Sequence, residues 1–316
     1  MAITDLVKTQ SGLDILSASE NDEPRQLWGR YLYEGELGIL FGDSNTGKSI
    51  LANDIAFFVS GGGHEWQGMT SPNIPSLYID MEMTAKQFAN RYRNAGEFIP
   101  RSYRRAEVNV LGGNEAKIFA AVKSSIILQQ SEVNPPKFII IDNITNGFGS
   151  IFSATKMRNL ISELKTIKDR FGLTILLIAH CPKRKPKTPI TDNDLGGSKM
   201  IINFVDSAFA IAPSQIRKET KYIKQIKNRI GEKLSDVMTV KITSEPYLCM
   251  QYVGMIDEDA HINPNNDDLW LTTITPEMEI ELVRMLSSED MSYSEIANAL
   301  SLRRDIVVDY AIANNL

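Results

Sequence analysis

The sequence predicts an α/β fold: a mainly parallel sheet with helices on its faces, antiparallel strands added at one edge, and a small all-α unit at the C-terminal end. Three observations carry this. The apolar runs Phe138-Ile139-Ile140-Ile141 and Leu173 to Ala179 read as strands buried on both faces, as parallel strands are. Segments of helical period, 115–129 and 156–170, stand between such runs. Beyond residue 206 the runs come closer together, which suits hairpins, and beyond residue 270 only helical periodicity remains.

Taken in order, residues 1–27 are polar, lack a clear period and read as an arm. Trp28, Tyr31 and Tyr33 follow, placed either to pack on the sheet or to stack on a base. Residues 36–41 form the first core strand and 50–58 the helix after it. Ser60 to His64 reads as a flexible turn with His64 at the surface. A strand is expected over 75–80, then Thr84 as the N-cap of a helix over 86–95, and a short strand over 107–111. Asp142 ends the next buried strand, and Gly172 stops the helix that follows it. His180 ends the strand over 173–179, and 181–195 is a loop rich in Pro, Lys, Thr and Asp. Strands are expected over 207–211, 222–228, 237–243 and 247–253. Three amphipathic helices, 276–286, 294–300 and 303–313, resemble a helix-turn-helix unit. The expected organisation is an arm (1–27), a core (28–254), an acidic linker (255–270) and a helical unit (271–316).

A chain of 316 residues with 43% hydrophobic and 23% charged content suits a soluble globular protein. No apolar run approaches membrane-spanning length, and the N-terminus lacks the layout of a signal peptide. Cys181 and Cys249 match no metal-ligand spacing and read as free thiols, so a reducing, cytoplasmic setting is expected. The net charge of −5 is uneven: residues 254–316 carry thirteen acids against Arg284, Arg303 and Arg304, a balance of −10, which leaves +5 on residues 1–253. That asymmetry bears on partners.

The stretch Gly42-Asp43-Ser44-Asn45-Thr46-Gly47-Lys48-Ser49 fits G-x-x-x-x-G-K-[ST], the phosphate-binding P-loop. Glycines let backbone N–H groups converge on a phosphate chain, and the following helix presents its positive end there. A chance match in a turn is the alternative; the strand before the loop and the helix after it argue against one. Residues 42–50, through Ile50, are the candidate nucleotide contacts, with ATP and Mg²⁺ as the expected ligands. Lys48 is placed to reach the β- and γ-phosphates and Ser49 to bind Mg²⁺. Asp142, a strand-end acid, is the second candidate for the metal. Glu82 follows a predicted strand, where sites in open sheets collect, and is the candidate base for the attacking water; the alternative is an acid paired with a helix dipole. His180 is either a γ-phosphate sensor or a structural histidine.

The segment Asp80-Met81-Glu82-Met83-Thr84-Ala85-Lys86-Gln87-Phe88-Ala89-Asn90-Arg91 resembles the glutamate motif of DnaB-type replicative helicases. Lys227-Asn228-Arg229-Ile230-Gly231 resembles that family's K-x-R-x-G element, and Leu195-Gly196-Gly197-Ser198 through Asp206 its stretch after the DNA-binding loop. His180 is closer to the small plasmid-encoded hexameric helicases. The resemblance covers roughly residues 30–253 and implies a RecA-like core, hexameric assembly, and Lys227 and Arg229 acting on a neighbouring subunit's nucleotide. It also implies that Lys183, Arg184, Lys185 and Lys187 face a central channel as nucleic-acid contacts; an ordinary solvated loop is the alternative. The small space before the core and the acidic tail favour a plasmid or mobile-element role over a chromosomal one.

The expected function is ATP hydrolysis in a ring or filament, coupled to movement on nucleic acid, single-stranded DNA first. A non-motor ATPase switch and a recombinase-like filament are the rivals. The C-terminal unit, too acidic for a DNA reader, is expected to meet a protein or its own core.

Overall fold

A computed structural model describes residues 10–19, 24–66, 68–109, 113–147, 154–185, 187–195, 199–216, 218–263, 275–288, 291–302 and 304–314. Its elements, in order, are α1 (Gly12–Ser19), β1 (Gln26–Trp28), β2 (Leu32–Tyr33), β3 (Leu37–Gly42), α2 (Lys48–Val59), β4 (Ser76–Asp80), α3 (Ala85–Arg91) and β5 (Tyr103–Glu107). Then come α4 (Glu115–Gln129), β6 (Phe138–Asp142), α5 (Ile144–Gly147), α6 (Ala154–Phe171), β7 (Thr174–His180) and α7 (Lys199–Phe204). The chain continues with β8 (Ser207–Pro213), β9 (Thr220–Asn228), β10 (Val237–Thr243), β11 (Cys249–Ile256), α8 (Glu258–Ile262), α9 (Pro276–Ser287), α10 (Tyr293–Leu300) and α11 (Arg304–Asn314).

The main sheet has nine strands in the order β11-β10-β9-β8-β3-β7-β6-β4-β5. From β8 to β5 all neighbours are parallel; β9, β10 and β11 add antiparallel. Period-two alternation divides the apolar runs between the faces. Ile39, Phe41, Ile139, Ile141, Ile175 and Leu177 face α4 and α6, while Leu40, Phe138, Ile140, Leu176 and Ile178 face α2. This is an α/β core built on a mainly parallel sheet, with its antiparallel strands at the expected edge.

Local chemistry explains the boundaries. Thr84 and Gln87 form a reciprocal capping box at the start of α3. Gly172 ends α6 at φ +58°, a conformation glycine adopts without strain. Trp28, Tyr31 and Tyr33 are buried; Trp28 and Tyr31 pack on Phe209, so the core reading of this aromatic group holds and base stacking is excluded for it.

Several expectations are corrected. The strand expected over 107–111 lies at Tyr103–Glu107 instead. Arg104 and Arg105 hid it, because their stems lie half-buried while their polar heads find partners. The arm contains the helix α1, whose Leu13 and Leu16 are exposed. His64 is half-buried rather than superficial: its Nδ1 lies 3.3 Å from the Tyr247 hydroxyl, and burial pushes its pKa down to about 4.

The segment read as a linker opens with the end of β11 and with α8. His261 on α8 is fully buried, with Nδ1 2.8 Å from Ser214 Oγ and Nε2 3.0 Å from Thr239 Oγ1, and it stacks on Tyr222. Burial lowers its pKa to about 4. The remainder of that segment, residues 264–270, lies outside the described residues, as do Gly196, Gly197, Ser198, Pro186 and Arg303.

The helices α9, α10 and α11 bury Leu282, Leu286, Ile296, Leu302 and Val307 together, and Val253 and Ile256 of β11 pack against them. The C-terminal unit therefore docks on the edge strand of the core. Among the described residues, no helix is long and apolar enough to cross a membrane.

Candidate nucleotide site

Strand order brings the site together. β7 lies between β3 and β6, and β6 between β7 and β4, so four carboxyl ends adjoin. In register, Gly42 faces His180, and Asp80 faces Asp142. Ligands in open sheets bind at such ends.

The loop after β3 has the curvature of a phosphate cradle. Asn45 and Gly47 adopt positive φ, 63° and 95°. Gly42 admits no side chain: a Cβ there would lie 2.3 Å from the Ile211 carbonyl oxygen. Lys48 Nζ donates to the carbonyls of Gly42 at 3.0 Å and Asp43 at 2.6 Å, which folds the lysine over the loop. Burial lowers its pKa, against the pull of Cys181, Asp142, Glu82 and Asp43. A cavity of about 490 Å³ opens here, bounded by Ser44, Asn45, Gly47, Lys48, Ser49 and Ile50 on one side and Glu82, Met83, Arg91, His180 and Ile242 on the other. That size suits a small-molecule ligand.

Asp142 is fully buried behind the loop. Its Oδ2 accepts from the Tyr78 hydroxyl at 2.5 Å, and its Oδ1 has no partner. Burial raises its pKa to about 6; the nearby hydroxyls of Tyr78 and Ser49 oppose this, and the charges of Glu82 and Asp80 add to it. Asp142 and the Ser49 hydroxyl thus adjoin.

Glu82 stands on the turn after β4. Its Oε1 lies 3.1 Å from His180 Nε2 and accepts from Asn143 Nδ2. His180 is only partly exposed, and its Nδ1 is buried without a hydrogen-bond partner. Asn143, Arg91 and Ile242 were not singled out by sequence reasoning. The first has a signal in retrospect, being the polar residue directly after a strand-end acid. Arg91 closes the Asp80–Arg91 segment but carries no recognisable mark of its own.

The remaining predicted residues lie elsewhere. Lys227 Nζ donates to the Ile202 and Val205 carbonyls at 2.7 and 2.8 Å, tying down the end of α7. Arg229 Nη1 pairs with Asp206 Oδ1 at 2.5 Å, and Asp206 Oδ2 accepts from the Leu37 N–H. Neither borders the cavity of its own chain. Of the basic loop, Lys183, Lys185 and Lys187 are exposed. Arg184 is turned back: Nη2 donates to the Thr188 carbonyl at 2.6 Å, Nε lies 3.3 Å from Asp194 Oδ1, and its side chain is 10% exposed. Arg184 thus offers less of its charge to solvent than the three lysines do.

A family described as an AAA domain matches residues 5–186, more than half of the chain. The chain belongs to this AAA-domain family. The match takes in the P-loop, Glu82, Asp142 and His180. As an AAA-domain protein, it is a P-loop ATPase. No curated protein matches the sequence. Among solved structures, the flagellar accessory protein FlaH from Methanocaldococcus jannaschii is similar at 15% identity, covering 76% of this chain and 94% of that one, with a TM-score of 0.49.

Proposed function

We propose that this AAA-domain protein hydrolyses ATP with Mg²⁺ at the β3–α2 loop and couples turnover to binding or movement on nucleic acid. The observation that carries the hydrolytic reading is the convergence of Glu82, His180 and Lys48 on one cavity. The donor set fits the metal: the orphaned Asp142 Oδ1 and the neighbouring Ser49 hydroxyl are hard oxygen ligands, the kind Mg²⁺ takes. When bound, Mg²⁺ supplies positive charge against the phosphate oxygens. The loop N–H groups and Lys48 hold the phosphate chain and stabilise charge on the transferred group. Glu82 orients the attacking water and accepts its proton. Asn143 and His180 fix the carboxylate meanwhile, and His180 stands where loss of the γ-phosphate is felt.

Coupling to nucleic acid is supported by chain order. The basic loop begins directly after β7, whose last residue is His180, and its three exposed lysines belong to a part of the chain with net charge +5. Assembly into a ring or filament, with Lys227 and Arg229 near a neighbour's site, rests on resemblance; so does a helicase or translocase role in a plasmid or mobile element. A non-motor switch is favoured by one observation: the C-terminal unit is docked on β11, the strand whose Met250 touches the P-loop at Gly47.

The test is ATPase rate with and without single-stranded DNA, beside electron microscopy of the particles. Stimulation by DNA in an oligomer supports the motor. An unstimulated rate in a monomer rejects it in favour of the switch.

A further inference from the structure

Arg105 has no place in the reading above, yet it is the most fully committed cation among the described residues. It sits on the edge strand β5, opposite Tyr78 and two register positions before the partner of Asp80. Its Nε and Nη2 lie 3.1 and 2.9 Å from Asp80 Oδ2, and Nη2 also donates to the Met83 carbonyl. Nη1 lies 3.6 Å from Glu107 Oε2, which itself accepts the Ala85 N–H at 2.6 Å. The guanidinium covers the Phe88 ring at 5.1 Å. Asp80 is fully buried, and its other oxygen, Oδ1, accepts the N–H groups of Glu82 at 2.9 Å and Met83 at 2.8 Å. Every residue of the turn 82–85, apart from the N-cap Thr84, is therefore held by Asp80, Arg105 or Glu107.

We infer that Arg105, acting through Asp80, is a positioning residue for the carboxylate of Glu82. This rests on the proposed base role of Glu82. A buried aspartate that lost its guanidinium would be an uncompensated charge, and the turn hung on Oδ1 would shift to relieve it. A general base must stand within hydrogen-bond reach of its water, so a shift of about 1 Å is enough to cost rate. Lysine cannot substitute, since one ammonium nitrogen cannot reproduce the two guanidinium nitrogens on Asp80 Oδ2 and the bond to the Met83 carbonyl together. The clamp holds the Glu82–Met83 side of the cavity and touches none of the P-loop residues, so the groups expected to hold the phosphates stay in place.

The experiment compares Arg105→Lys with wild type in the full chain, using a fluorescent ADP analogue for affinity and steady-state kinetics for kcat and KM. The expected result is a kcat lower by about 10–100-fold, the usual cost of losing an orienting partner, with analogue affinity unchanged. A cycle with Glu82→Gln adds the readout that a purely structural role would not move. If Arg105 works through Glu82, adding Arg105→Lys to Glu82→Gln lowers turnover no further. Wild-type kcat in Arg105→Lys, or full additivity in the double variant, overturns the inference. If Glu82→Gln alone turns over normally, the base assignment fails instead, a different outcome from these. Should Arg105→Lys not fold, Glu107→Gln replaces it, at a half-exposed position holding the same turn. A reduced kcat at unchanged analogue affinity supports the clamp, and wild-type kcat there overturns it.

Discussion

Asn143 Nδ2 lies 2.8 Å from His180 Nε2, at the ends of adjacent strands, and the same amide donates to the Glu82 carboxylate. One fully buried amide thus ties the candidate base to the candidate sensor. Asn143→Ala should lower kcat by about 10-fold or more, because both groups lose their common partner, while nucleotide affinity holds. Steady-state kinetics beside a binding titration checks this. Equal loss of affinity and rate would place Asn143 in the general support of the pocket.

The strained carboxylate of Asp142 gives a pH prediction. Burial raises its folded pKa from 3.8 to about 6. Between those values the folded chain binds more protons than the unfolded one, so stability contributed by the protonated acid is lost as pH rises through about 6. Asp142→Asn should therefore stabilise the nucleotide-free protein at pH 7.5 by about 2 kcal/mol, seen as a higher Tm, and abolish Mg²⁺-dependent turnover. The gain should vanish below pH 4. Thermal melts across pH measure it; a variant less stable than wild type at neutral pH would show that the carboxylate is not the source of strain.

Much of this was legible in the sequence, for physical reasons. The parallel strands at Phe138 and Leu173 are continuous apolar runs because both faces are covered, and the P-loop is local chemistry written in eight consecutive residues. What was not legible depends on distant partners. β5 looked too polar for a strand, since nothing in Arg104-Arg105 announces Gln129 or Asp80 as acceptors. α8 sits in an acidic, Asn-rich stretch, and only Ser214 and Thr239 explain why His261 is buried there. The order of strands, which sets Asp80 beside Asp142 and Asp142 beside Ile178, is not written in any single segment.

The basic loop separates into two kinds of cation. Lys183, Lys185 and Lys187 are exposed, whereas Arg184 is spent on Thr188 and Asp194. Replacing the three lysines with alanine should remove about two units from the slope of log affinity against log salt on single-stranded DNA. Arg184→Ala should change that slope little and instead loosen the loop. Affinity titrations across salt distinguish them. An unchanged slope in the lysine variant would reduce the loop to a solvated surface turn.

The β10–β11 hairpin touches both ends of the molecule's putting-together. Ile242 lines the nucleotide cavity, Met250 meets the P-loop at Gly47, and its N–H donates to the buried Asp54 of α2 at 2.6 Å. Val253 and Ile256 of the same hairpin pack on the C-terminal unit. Nucleotide should therefore slow backbone hydrogen exchange in α9–α11, by the reciprocity of linked sites. Exchange that is the same with and without ADP would mean that the unit is a passenger.

The central claim is that Glu82 activates water in a cavity that Lys48 and the P-loop build for ATP. Single-turnover hydrolysis by Glu82→Gln, with ATP binding measured on the same preparation, tests it most directly. The account predicts that ATP is still bound and that hydrolysis slows by about 10²–10⁴-fold, since shape survives and the base does not. Hydrolysis at the wild-type rate would contradict it.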